Sequence, residues 1–146
     1  MRGDGYVLSN PHFEASYERL FGDDVRMAAS SDAFFHAFYE RFLTHADVAA
    51  LFNSTDMQAQ VQMLKRSLFY LVSLYVTGTP SPELERLAER HRDLGVPGEM
   101  FDKWLAALLD TVLQLDPQAD EVTRLAWAWA LTPGITYMRL ALLDDA

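Results

Sequence analysis

The chain has 146 residues, half of them hydrophobic and 12% aromatic, enough for one domain that buries roughly 68–70% of the surface its unfolded form exposes. Twelve Lys and Arg stand against twenty-one Asp and Glu, a formal charge of −9, and that field repels nucleic-acid backbones and anionic membranes. With no cysteine, disulfides, thiolate nucleophiles, iron–sulfur clusters and thiolate-bound zinc are excluded, so metal chemistry falls to four His and the carboxylates.

Residues 1–9 hold one Arg and no apolar run, which reads as a flexible N-terminal extension rather than a signal peptide or membrane anchor and makes the cytoplasm the expected location. Asn10 and Pro11 then combine an N-cap with proline at the first helical position, and Phe13, Tyr17, Leu20 and Phe21 keep one face as far as Gly22. Ser31 and Asp32 can cap a second helix. Its Phe34, Phe35, Phe38, Tyr39 and Phe42 form an aromatic stripe suited to something bulky and flat.

A short segment from Ala46 to Phe52 follows, after which Thr55 and Gln58 stand at capping-box spacing. Met57, Val61, Leu64, Leu68, Leu71, Val72 and Tyr75 keep a helical rhythm with Gln60 at its edge, and Gly78 and Pro80 close it. Within that helix, Ser67 to Val76 is far short of the ~20 residues a bilayer requires and reads as a buried helix. Ser81 and Pro82 open the next helix, whose inward stripe is Leu84, Leu87, Ala88, His91 and Leu94 until Gly95. From Glu99 to Leu115 the inner face is Phe101, Trp104, Leu105, Leu108 and Val112, and Asp116-Pro117 breaks the helix. The last helix starts near Asp120 with Val122, Leu125, Trp129, Ile135 and Met138 inward, and Pro133-Gly134 predicts a kink. No two alternating runs are joined by a hairpin turn, so residues 1–146 are expected to make one all-α domain.

The sharpest single feature is His91, an imidazole on an otherwise apolar stripe that must find a hydrogen-bond partner or bind something. Periodicity alone favours the first. The wider pattern changes that weighting: Phe38-Tyr39-Glu40-Arg41-Phe42, Ala50-Leu51-Phe52, Asp56-Met57 through Gln60 to Leu64, Leu87-Ala88-Glu89-Arg90-His91, Gly95-Val96-Pro97 with Phe101, and Trp127 with Pro133-Gly134-Ile135 together resemble the globins. The likeness is to the single-domain bacterial haemoglobins and the haem domain of flavohaemoglobins, over roughly residues 13–140.

That resemblance implies a globin fold of about six to eight helices around a haem pocket, holding haem b (iron protoporphyrin IX) with His91 as the proximal iron ligand. The second imidazole nitrogen then requires an acceptor, such as a backbone carbonyl one turn back. Phe52 matches the phenylalanine wedged against the porphyrin, Tyr39 and Gln60 the donors to a bound gas, and Leu64 the residue crowding it. Val96 and Phe101 belong to the proximal segment, and Arg90 or Arg92 could pair with a propionate. Two departures stand out. Phe101 occupies a position where flavohaemoglobins carry tyrosine, which weakens any electronic push on the iron; and the stretch from Tyr39 to Phe52 is about one residue short.

The implied function is reversible binding of dioxygen or another diatomic gas, carbon monoxide or nitric oxide included. Its rivals are a nitric oxide dioxygenase or peroxidase served by a separate reductase, a gas sensor, and a haem-free helical interaction module. No dinucleotide fingerprint is present.

Overall fold

The computed structural model describes residues 10–22 and 31–144; the expected extension over residues 1–9 lies outside them. Seven helices occur among the described residues: α1 (Pro11–Phe21), α2 (Ser31–Phe42), α3 (Ala46–Leu51), α4 (Met57–Thr77), α5 (Pro82–Asp93), α6 (Glu99–Leu115) and α7 (Glu121–Leu142). No strand is found among those residues, so the all-α expectation holds.

Local chemistry sets most boundaries. The Asn10 side chain accepts from the Phe13 N–H and also donates to the Ala126 carbonyl at 2.9 Å, so one residue starts α1 and fastens it to α7. Helix α4 opens on Asp56, whose carboxylate accepts from the Gln58 and Ala59 N–H groups. Thr55 is thus one residue too early to be the cap, and a carboxylate at the positive end of a helix dipole is the stronger acceptor. At the other end Gly78, with φ of 80°, takes the left-handed conformation and donates to the Leu74 carbonyl. Helix α7 begins with a capping box between Asp120 and Thr123 and runs unbroken through the exposed Pro133.

The core is built around Trp127, Phe21, Phe35, Phe38, Leu68 and Leu108, all fully buried. Helices α4 and α7 cross closely at Gly134, where an added Cβ would lie 3.2 Å from the Leu71 Cα. The polar staple at the α6–α7 corner is Asp116, buried and accepting from Ser16 at 2.6 Å and from Arg19 at 2.7 and 2.8 Å. Ser16 in turn accepts from the Trp127 indole at 3.0 Å.

Several residues assigned inward by periodicity face outward. Leu94 is exposed because α5 ends at Asp93 and the chain turns at Gly95, where φ is 70°. Phe69 and Val76 are exposed as well, so Ser67 to Val76 is buried on one side only. In α7, Val122, Leu125 and Trp129 point to solvent, while Thr123, Ala126, Trp127, Ala130, Leu131 and Gly134 face in. Both faces of α7 are apolar enough that period alone cannot choose between them; the close crossing with α4 selects the one with small residues.

Candidate functional site

One cleft of about 830 Å³, measured out to its open mouth, lies between α2, α4, α5 and α6 with the α3 corner and α7 closing its ends. Helix α5 supplies His91. Its Nδ1 lies 2.8 Å from the Leu87 carbonyl one turn back, and because a carbonyl oxygen only accepts, Nδ1 carries the proton and Nε2 keeps its lone pair. Burial pushes the imidazole pKa down, a shift the Leu87 bond opposes and the Arg90 charge reinforces, so the ring stays neutral. The Phe101 ring packs on it, centroids 5.9 Å apart, and the Val96 N–H reaches the His91 carbonyl at 3.1 Å.

Tyr39 on α2 and Gln60 on α4 also line this cleft. The Tyr39 hydroxyl sits 3.5 Å from the Gln60 backbone carbonyl, at the outer edge of hydrogen-bonding distance, so its proton is loosely held and free to turn to a better acceptor. Burial pushes its pKa up to about 12, against an opposing contact with Gln60, and the phenol therefore remains a donor. The Phe52 ring stands at the α3 corner, 6.0 Å from Tyr39 and 6.2 Å from Phe42.

Seven of the eight residues singled out from sequence converge on this cleft: His91, Phe52, Tyr39, Gln60, Leu64, Val96 and Phe101. Arg90 does not; it is exposed and absent from the lining. Sequence reasoning missed Met63, Ser67 and Met100, which also line the cavity. The signal for Ser67 is its spacing, one turn beyond Leu64 and two beyond Gln60 on α4, while a methionine carries no pattern that separates pocket from core.

Among the described residues no three His, Asp or Glu side chains converge on a point that could hold a bare metal ion. The donor set is instead one neutral imidazole on the α5 wall, apolar side chains around it, and two polar tips from α2 and α4. Such a set fits a flat apolar prosthetic group that brings its own metal and uses one axial protein ligand.

No family model matches the chain, and no curated protein matches it. Among solved structures it is similar to a Pseudomonas aeruginosa PAO1 protein described as structurally highly homologous to a human haemoglobin. The two are 31% identical over 91% of this chain and 97% of the other, with a TM-score of 0.77. The chain belongs to the globin family. As a globin it places its cleft where the α2–α4 pair faces α5, and the all-α architecture expected from periodicity is the one observed. No helix of this globin, among the described residues, is long and apolar enough to cross a membrane.

Proposed function

We propose that this globin binds haem b through His91 and reversibly takes up dioxygen or another diatomic gas in the space beneath Tyr39 and Gln60. The observation that carries the reading is the His91–Leu87 bond, which fixes a neutral imidazole with Nδ1 protonated and leaves Nε2 as the metal-binding nitrogen. When bound, the haem iron supplies the coordination site for the gas.

The chain's own residues account for the rest. Phe52 and Phe101 offer ring surfaces to a flat macrocycle, and Val96 and Leu64 keep the walls apolar, so water is a poor competitor for the site. Tyr39 and Gln60 direct donors at a ligand whose outer atom carries partial negative charge, a condition dioxygen meets and carbon monoxide does not. Arg90 stays exposed on the His91 turn and outside the cleft lining, so a propionate would have to reach out to the cleft's rim to pair with it. Cytoplasmic location is part of the same proposal, as is a reductase partner only if the gas is consumed rather than released.

A hemin titration of the purified chain tests the reading. We expect a Soret band that saturates at one haem per chain, and a ferrous visible spectrum that changes on adding oxygen and reverts on removing it. A His91→Ala variant should lose haem or recover its spectrum only with added imidazole. If that variant keeps the unsubstituted ferrous spectrum without imidazole, another residue holds the iron and the assignment fails.

A further inference from the structure

Along the cleft wall, the cation next to a lining residue is repeatedly one that another side chain already holds. Leu64 lines the cleft and its neighbour Lys65 pairs with Asp32 at 2.5 Å; beside Met138, Arg139 pairs with Asp102 at 2.7 Å. Arg92, next to His91, lies 3.4 Å from Asp93 and 3.8 Å from Asp144, and Lys103, next to Trp104, pairs with Asp47. Arg41, beside Phe42, donates to Gln114 at 2.5 Å. Arg66, Arg86 and Arg90 are exposed and outside the lining. Among the described residues no Lys or Arg lines the cleft, whose polar groups are the neutral side chains of Tyr39, Gln60, Ser67, His91 and Trp104.

We propose that the cleft chooses its macrocycle by apolar surface and one axial imidazole, with no charge clamp on the carboxylate edge, and so takes metalloporphyrins with a neutral edge as readily as the dianionic haem b. The inference rests on the proposed haem site and names the chemical class that fits it. A carboxylate left in the dry part of the cleft is an unpaired buried charge, a cost that apolar burial does not offset. Both carboxylates therefore leave through the open mouth. The wall there is uncharged as well: Leu51 lines the cleft while 55% exposed, and Phe52, Met63 and Val96 line it half-buried. The edge of the ring crosses apolar side chains on its way to water.

Net charge works against the dianion. The chain carries −9, and that field repels an anion approaching the mouth unless a local cation reverses it. Esterifying the two carboxylates removes the repulsion and leaves the ring area, the metal and the His91 bond untouched. Where a guanidinium or ammonium does hold a carboxylate, the charge-assisted bond lengthens residence about tenfold to a hundredfold, so a clamp is easily read if one exists. Salt supplies a second sign, because it screens attraction to a clamp but relieves repulsion from an acidic chain.

Zinc protoporphyrin IX and its dimethyl ester test this, since both fluoresce and the measurement does not depend on gas binding. Each is loaded onto the full chain at one per chain, and its loss to an excess of a second porphyrin-binding protein is followed by fluorescence. The ester should leave no more than about fivefold faster than the acid, and the triple variant Arg66→Ala, Arg86→Ala, Arg90→Ala should shed the acid within the same margin. Raising salt from about 20 to about 500 mM should quicken association of the acid and leave that of the ester unchanged. An ester lost faster than that margin, a triple variant that sheds the acid faster than that margin, or association of the acid that slows as salt rises overturns the proposal. If neither porphyrin binds, the cleft is no porphyrin site and the proposed function falls together with this inference. If the acid binds and the ester is not held, the haem reading stands and this inference alone fails.

Discussion

At the residue scale the decisive group is His91, whose hydrogen bond and burial act in opposite directions on its charge. Burial wins, and its pKa in the fold lies below the unfolded value. Between those two values the unfolded chain holds the extra proton. The haem-free protein should therefore lose stability as pH falls below about 6.5 and stop losing it, on this account, below the folded pKa. Urea midpoints between pH 8 and 5 measure that slope, and His91→Gln should flatten it. Tyr39 has the opposite character. Because burial holds its pKa near 12, oxygen release should be insensitive to pH from about 6 to 10. Its loose 3.5 Å bond to Gln60 means that Tyr39→Phe costs little stability. The same substitution should speed oxygen dissociation about tenfold to a hundredfold, the equivalent of roughly 1.5–3 kcal/mol, and leave carbon monoxide release nearly unchanged in stopped-flow displacement. Equal changes for both gases would mean that the ring acts by packing alone.

At the element scale two contacts fasten the helices to one another. Gly134 lets α7 lie against the α4 backbone at Leu71, a residue that also lines the cavity. Gly134→Ala gains about 1 kcal/mol of helix propensity. It also places a Cβ 2.5 Å from Leu71 Cδ2 and 3.2 Å from its Cα, an overpacking worth about 1–3 kcal/mol. The net expectation is a destabilised protein by thermal melting, against the usual benefit of replacing a helical glycine. The second contact is Asp116. Burial by itself would raise its pKa, but the hydrogen bonds from Arg19, Ser16 and the Gln118 N–H outweigh it and hold the carboxylate low. Its contribution is present above about pH 4 and is lost as pH falls through the folded value. Asp116→Ala should cost about 2–4 kcal/mol in urea unfolding at pH 7, since it strands Ser16 and Arg19 and loosens α1.

For the whole molecule, a ligand that fits only the folded cleft stabilises the fold by mass action. Hemin at about 100 times its dissociation constant should add about 2.7 kcal/mol, a rise of roughly 5–10 °C in melting temperature for a domain of this size. His91→Ala should abolish most of that rise while leaving the haem-free melting temperature close to the unsubstituted one.

The resemblance to the globins, not period, singled out Tyr39, Phe52, Gln60 and Leu64; the sequence's own local patterns determined the helical class and nearly every helix boundary. Those follow from local rules: a cap at Asn10 or Ser81, a left-handed glycine at Gly78, and a 3.6-residue rhythm that puts His91 and Leu87 on one face. Where neighbouring signals competed, it erred by one residue, as at Thr55 beside Asp56. Only the tertiary structure decided which face of α7 turns inward, because Val122, Leu125 and Trp129 are as hydrophobic as the residues that are buried, and the choice rests on how closely Gly134 lets α4 approach. It also decided that Arg90 stands outside the cleft while Met63 and Ser67 line it. Period fixes which residues share a face, but what that face meets depends on contacts between residues distant in sequence, and no local pattern encodes them.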